Sequence, residues 1–344
     1  MKLDWKFYLG LIIGFTFLFF SLRGFDYVEF YDQLKRVNWF FIILSVFIYY
    51  LTYVSRVLRW RYLTLPIKEM SFRNLFSGIA IGFGANNMLP MRLGELIRAY
   101  ALGKIEKVRA GSVLATVVIE RVFDGMAVIA LLVVIFFGAD SSERFGENRE
   151  ILRTAGYSSL AFLVFMVGFL VLLERKTDRM GRLAGIFFRP LSRKLQERME
   201  RFVKSFAAGL DVLYRGGALL MIVFYTILTW LLITFFYYTI ILSFPVEVEF
   251  AFSAAIAVVV FIAFASVIPA PPGYVGTFEV GGISALMIYG LAKSDAAGVV
   301  LVMHALNIFP AIIMGLIFLW LDKMSLAEVS RVSVYGIEGE GGKE

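Results

Sequence analysis

Nine apolar blocks divide this chain, and none of them keeps the polar face that a helix of a soluble protein would need. They run over 6–22, 39–55, 74–89, 110–138, 155–173, 217–243, 250–268, 278–292 and 297–321. A membrane core about 30 Å thick asks for roughly 20 apolar residues per helix, and most blocks approach that length. Hydrophobic residues are 60 % of the 344 and charged residues 18 %, too few polar groups to cover a soluble globule. The blocks also lack the alternation of half-buried strands. An all-α, polytopic membrane helix bundle is therefore predicted, multi-pass in the cell membrane.

Composition removes several classes of chemistry. There is no cysteine, so disulfides, thiolate metal sites and cysteine nucleophiles are excluded. His304 is the single histidine, which excludes a histidine metal cluster. The chain lacks a nucleotide-binding motif, and neither cofactor nor metal is expected. The net charge of +7 does not call for nucleic acid, because Lys and Arg gather in loops where they hold cytoplasmic ends against anionic lipid.

Loop charges then suggest a topology. Loops 56–73 and 92–109 each carry five basic residues, and loop 174–216 carries eleven against five acids. Loops 23–38 and 139–154 are balanced or acidic, and 244–249 has only Glu247 and Glu249. Two basic loops thus flank 74–89, so this block is expected to enter from the cytoplasm and return. Gly78, Gly82, Gly84, Asn86, Asn87 and Pro90 suit broken backbone there. About eight crossings remain, with both termini cytoplasmic. Residues 1–325 read as one integral membrane domain. Within 174–216, apolar residues from Leu191 to Leu210 recur at helical spacing among arginines and lysines, as in an interfacial helix. The tail 326–344 is expected to be disordered.

Polar residues inside the blocks are the candidate site. Glu120 lies about 15 Å into block 110–138, with Arg121 and Asp124 just beyond it, where unpaired charge costs several kcal/mol. Glu120 and Asp124 share a face, and Arg121 pairs with Asp124 at helical spacing. Arg92, Glu95 and Arg98 share another face just after Asn86, Asn87 and Pro90. Two guanidinium forks with an acid between them suit a phosphate. A third stretch, SVIPAPPGYVGTFE, contains Pro271, Pro272, Gly273, Gly276 and Glu279 and reads as a broken helix whose free backbone groups face a substrate or ion. His304 and Asn307 share a face of the last block, where an interhelical hydrogen bond is expected. Of Arg56, Arg59 and Arg61, only Arg59 joins the site; snorkelling accounts for the others.

At RVLRW (Arg56 to Trp60), NMLPMRLGELIRA (Asn87 to Ala99), ERVFD (Glu120 to Asp124) and PPGYVGTFE (Pro271 to Glu279) the chain resembles the transmembrane domain of the lysylphosphatidylglycerol synthase/flippase superfamily, including the UPF0104 membrane proteins. The resemblance covers most of 5–325. It implies the movement of anionic or aminoacylated lipids between leaflets. Some relatives fuse this domain to a synthase or a glycosyltransferase; the present chain resembles the membrane module alone, so synthase activity is not expected.

The expectation is therefore a flippase or transporter for an anionic phospholipid or a polyprenyl-phosphate-linked precursor. Arg92 and Arg98 would hold phosphate, Arg121 would sit deeper, and Glu120, Asp124 and Glu279 would tune charge or carry protons. A small-solute secondary transporter, an accessory subunit of a separate synthase or glycosyltransferase, and a membrane enzyme acting on a lipid phosphate are the alternatives.

Overall fold

The computed structural model describes residues 5–89, 93–137, 217–268 and 271–329, with a helical stretch inside 154–168. Arg92, Pro90, Pro269, the loop 174–216 and the tail beyond 329 lie outside the described residues. Every described element is a helix: α1 (Trp5–Leu22), α2 (Tyr27–Arg36), α3 (Trp39–Thr64), α4 (Phe72–Met88), α5 (Gly94–Glu106), α6 (Ala110–Phe137), α7 (Gly156–Phe165), α8 (Ala218–Ser243), α9 (Ala251–Ala265), a 3₁₀ turn (Pro272–Tyr274), α10 (Thr277–Ile288) and α11 (Lys293–Leu321).

The expected count of about eight crossings is overturned. Among the described residues, three helices are long and apolar enough to span a membrane: α3, α8 and α11. A fourth is obtained only if α1 and α2, bent by 79° at their junction, count as one span. Two physical causes separate the blocks from the spans. Helix α6 has the length but carries Glu120, Arg121 and Asp124 in its middle. Helices α9 and α10 are apolar but have 15 and 12 residues, about 22 and 18 Å of rise against a core of about 30 Å. Apolar composition alone does not measure unbroken helix length. The segment 74–89 is also not broken: α4 remains helical through Gly78, Gly82 and Gly84 to Met88. It is α5 that returns, antiparallel along α4. Asn74 Nδ2 donates to Glu106 Oε1 at 2.8 Å where the hairpin opens, and Gly94 N donates to Asn86 Oδ1 at 2.8 Å at its tip.

Helices α3 to α6 and α8 to α11 form two units of the same plan. Helices α3 to α6 have 26, 17, 13 and 28 residues; α8 to α11 have 26, 15, 12 and 29. In each unit a long helix leads into a short helical hairpin and then into another long helix. Helix α4 packs on α11, and its counterpart α9 packs on α6. The first helices of the units, α3 and α8, run antiparallel. Asn38 N donates to Ser243 O at 2.8 Å at one end, Ser55 and Thr229 share a hydrogen bond of 2.7 Å in the middle, and Tyr62 stacks on Tyr225 near the other end. The units are thus inverted relative to each other, the arrangement of many transporters. Their hairpins open at opposite ends of the bundle and meet by their tips: a Cβ on Gly273 would stand 3.6 Å from Asn87 O.

The two ends of the bundle differ in charge. One end bears Arg61, Lys68, Arg73, Lys104, Lys107, Arg109 and Lys323 against Glu69, Glu106, Asp322 and Glu328. Ion pairs tie its loops together: Lys68–Glu106 and Arg73–Asp322 at 2.7 and 2.6 Å, and Lys104–Glu328. Burial, which would raise the Glu106 carboxyl, is outweighed by Lys68 and Asn74, so it stays below the usual carboxylate range. The other end bears Asp26, Glu29, Asp32, Glu247, Glu249 and Asp295 against Arg23, Lys35, Arg36 and Lys293.

Two glycines set the close crossing of α4 and α11. A Cβ on Gly84 would lie 2.9 Å from Gly315 Cα, and one on Gly315 would lie 2.8 Å from Gly84 Cα. Backbones approach this closely only where both side chains are absent. G84V is expected to lower the melting midpoint in detergent through overpacking worth about 1–3 kcal/mol. G111A, at a glycine with nothing within 4 Å of a built Cβ, should leave it unchanged. Equal melting of G84V and wild type would contradict the packing described.

Candidate functional site

Charge is concentrated where α3, α5, α6 and α8 meet. Arg59 of α3 is fully buried and reaches two carboxylates of α6. Its Nη2 donates to Glu120 Oε1 and its Nη1 to Asp124 Oδ1, both at 2.7 Å. Nη1 also donates to Thr226 Oγ1 of α8 at 3.2 Å. Spacing explains the fork: Glu120 and Asp124 are one turn apart on α6, so one planar guanidinium spans both. Trp230 Nε1 of α8 donates to Asp124 Oδ1 at 3.1 Å.

Arg98 of α5 approaches the same cluster from the other side. Its Nη2 lies 2.8 Å from Glu120 Oε2, a close contact between opposite charges. The guanidinium stacks 3.6 Å above the ring of Trp60, whose Nε1 donates to Thr116 Oγ1 at 2.9 Å. Arg98 is 3 % exposed and Glu120 is fully buried. Removing one member of such a set leaves a buried charge uncompensated, at a cost of about 3–5 kcal/mol.

Arg121 stands at the open edge of the cluster. Its side chain is 37 % exposed; Nη2 is 3.3 Å from Glu120 Oε1 and 3.2 Å from Asp124 Oδ2. Its Nε, 3.7 Å from Glu95 Oε1 at the start of α5, has no hydrogen-bond partner. Five of the charges singled out from the sequence, Glu95, Arg98, Glu120, Arg121 and Asp124, are thus brought together around Arg59. Arg92 lies outside the described residues. Asn86 closes the α4–α5 tip through Gly94, and Asn87 Nδ2 donates to Phe83 O of its own helix at 3.0 Å.

The second hairpin has a cluster of its own. Gly273, Tyr274 and Gly276 all have positive φ, so the chain turns sharply between Pro271 and Thr277. Pro271 and Gly276 fit against Gly14 of α1, where a Cβ on any of these glycines would collide. Glu279 Oε2 accepts from Gly276 N at 2.7 Å. His304 of α11, stacked at 4.1 Å on Phe278, has Nδ1 2.6 Å from Glu279 Oε1 and Nε2 2.6 Å from Gly273 O. A carbonyl oxygen only accepts, so Nε2 carries a proton. One further proton lies between Nδ1 and the carboxyl. The geometry therefore fixes the number of protons on this buried pair. Asn307 Nδ2 donates to Tyr237 Oη at 3.3 Å, and Asn307 O accepts from Tyr49 Oη at 3.0 Å.

The two clusters occupy equivalent places in the two units. Counted from the start of their helices, Arg121 and His304 stand at the same position, as do Asp124 and Asn307. Each hairpin is thereby clasped to the long helix that follows it by an acid in its returning helix: Glu95 to Arg121 at 3.7 Å and Glu279 to His304 at 2.6 Å. One clasp is long and partly exposed; the other is short and buried.

Arg56, Tyr49, Tyr53, Tyr237, Thr226 and Trp230 were not singled out from the sequence. Arg56 and Arg59 are three apart on α3, which was the available signal, but a basic residue near the end of an apolar block reads first as an anchor. The tyrosines and threonines sit in apolar runs whose inward face is defined only by packing.

The Glu279 clasp separates two substitutions. Gln at this position still accepts from Gly276 N and donates to a neutral Nδ1 of His304, so E279Q is expected to melt close to wild type. E279A orphans the Gly276 N–H and one imidazole nitrogen and should cost about 1–3 kcal/mol for each buried group left unpaired. Equal loss of thermal stability in detergent by both variants would contradict the hydrogen-bond assignment.

Comparison with known proteins bears on the same residues. The family model for the lysylphosphatidylglycerol synthase TM region matches residues 7–315. A UPF0104 membrane protein of Methanothermobacter thermautotrophicus is 30 % identical over 186 residues, covering 52 % of this chain and 53 % of that protein. A UPF0104 membrane protein of Methanocaldococcus jannaschii is 31 % identical over 117 residues, 33 % of this chain and 35 % of its own length. A second Methanothermobacter thermautotrophicus protein of the same description is 26 % identical over 292 residues, 82 % of this chain and 83 % of that one. The match thus spans about half of the first relative and about a third of the second. No solved structure matches the chain. With a family model spanning both hairpins and both charged clusters, the chain belongs to the lysylphosphatidylglycerol synthase TM-region family, a multi-pass membrane module of a lipid-handling family that aligns with the UPF0104 membrane proteins.

Proposed function

We propose that this protein moves an anionic phospholipid or a lipid-linked precursor between the leaflets of the membrane. The observation that carries the reading is the pair of inverted hairpins whose tips meet beside buried charge. Inverted units with broken elements at mid-depth allow a site to be reached from either side in turn. The unequal clasps suit such exchange: the hairpin held by Glu95 and Arg121 is the looser, and the one held by Glu279 and His304 the tighter. A polar headgroup would follow the tips while its tail stays in lipid. The end of the bundle rich in Lys and Arg is read as cytoplasmic, together with the start of α1 and the end of α11. Family membership supports a lipid as the substrate. An enzyme partner that makes or consumes the lipid is compatible with this role.

Within the site, Arg59 and Arg98 hold the framework and Arg121 faces the path. Removing Arg121 leaves Glu120 with Arg59 and Arg98, and Asp124 with Arg59 and Trp230, so R121Q should fold. In proteoliposomes carrying fluorescent phosphatidylglycerol or a polyprenyl phosphate lipid, wild type is expected to speed leaflet exchange over empty vesicles. R121Q should slow it about tenfold or more, equivalent to about 1.4 kcal/mol lost from the barrier-lowering contacts. Exchange no faster than in empty vesicles for both lipids would overturn the proposal. Uptake of a soluble anion instead would move the assignment to a solute transporter.

A further inference from the structure

Among the described residues, Arg56 is the cation of the charged cluster that no carboxylate pairs. Among the described residues, the charges gathered on α3, α5 and α6 are Arg56, Arg59, Arg98 and Arg121 against Glu95, Glu120 and Asp124, which leaves one positive charge in excess. Each of the other three arginines lies within 4.0 Å of a carboxylate oxygen. Arg56 has no hydrogen bond or ion pair among the described residues, and its guanidinium lies 4.9 Å from the centre of the Phe83 ring, one turn of α4 before Asn87. It is partly exposed. An unpaired guanidinium deep in an apolar bundle is costly for folding, and intramembrane charge of this kind marks a pathway.

Its surroundings are rich in donors. Arg56 is within electrostatic reach of Asp124 first, then of Arg59, Arg121 and Glu120, and of the phenols Tyr49, Tyr53 and Tyr237. Tyr49 donates to Asn307 O, so Tyr53 is the donor in their 3.2 Å contact. Tyr237 accepts from Asn307, which leaves its own O–H proton unused among the described residues. Arg121 Nε is likewise unbonded. A guanidinium fork, a phenolic O–H and a further N–H, with one positive charge to spare, match a phosphate diester of single negative charge.

We infer that Arg56 seats the phosphate of an anionic lipid headgroup. The lipid as occupant rests on the transport reading above; the anion site itself rests on the charge count. Detergent-purified protein is titrated with phosphatidylglycerol and followed by native mass spectrometry, with inorganic phosphate as the competing probe. Wild type is expected to retain phosphatidylglycerol, and R56Q to bind it about tenfold or more weakly, the scale of one charge-assisted contact. R56K should fall between them. R61Q, which removes an exposed arginine paired with Glu69 at 2.8 Å, should bind as wild type does. R56Q should also melt no lower than wild type, since it leaves three arginines against three carboxylates. Binding by R56Q within about twofold of wild type would overturn the site. Displacement of the lipid by inorganic phosphate at equal concentration would overturn the lipid as occupant. If Arg56-dependent binding persists while wild type exchanges no lipid between leaflets, the transport reading fails and the site stands.

Discussion

The fold depends on one guanidinium. Arg59 holds Glu120 and Asp124 with 2.7 Å contacts in a region closed to solvent, and through Thr226 it also touches α8. Both units of the chain are therefore fastened at one point: α3 and α6 of the first, α8 of the second. Arg98 adds α5 by lying between Glu120 and Trp60. In lipid there is no hydrophobic drive to bring helices together, so packing and polar contacts of this kind decide which helices associate. A buried ion set is weak evidence for stability as such, but it specifies register: no other turn of α6 offers two carboxylates on one face.

With that register fixed, the hairpins are placed. Helix α5 is drawn beside α6 with Glu95 opposite Arg121, and the equivalent helix α10 lies beside α11 with Glu279 opposite His304. The first clasp joins two charged groups at an exposed edge, and the second shares a proton in a sealed one. The guanidinium of Arg56 lies over the ring of Phe83, one turn of α4 before Asn87 at the hairpin tip.

Much of this was legible in the residues, and some was not. Helical class followed from apolar blocks without alternation. The place of Glu120, Arg121 and Asp124 in the middle of a long helix followed from the length of block 110–138. The break at Pro271 to Gly276 followed from residues that cannot continue a helix. The number of spans did not follow: an apolar block records composition, and α9 and α10 are too short while α6 is too charged. The α4–α5 hairpin was hidden for a related reason. Gly78, Gly82 and Gly84 read as breaks in sequence, whereas Gly82 and Gly84 instead let α5 and α11 approach an intact helix. The roles of Arg56 and Arg59 were equally undetermined, since two arginines three apart look alike until the carboxylates they face are known. The repeat is a matter of helix lengths and direction, and the two units carry different residues at equivalent places, as Arg121 and His304 do.

The claim that the Arg59 set fixes the register is tested most directly by a double-mutant cycle on Arg59 and Asp124. R59M, D124L and the double variant are unfolded chemically in detergent, and the three losses are compared with wild type. Arg59 and Asp124 are 2.7 Å apart and buried, so each single change should be severe, about 3–5 kcal/mol. The double variant should be less destabilised than their sum by about 2 kcal/mol or more. Losses that add to within about 0.5 kcal/mol would show that the two residues do not act as a pair, and would contradict the account.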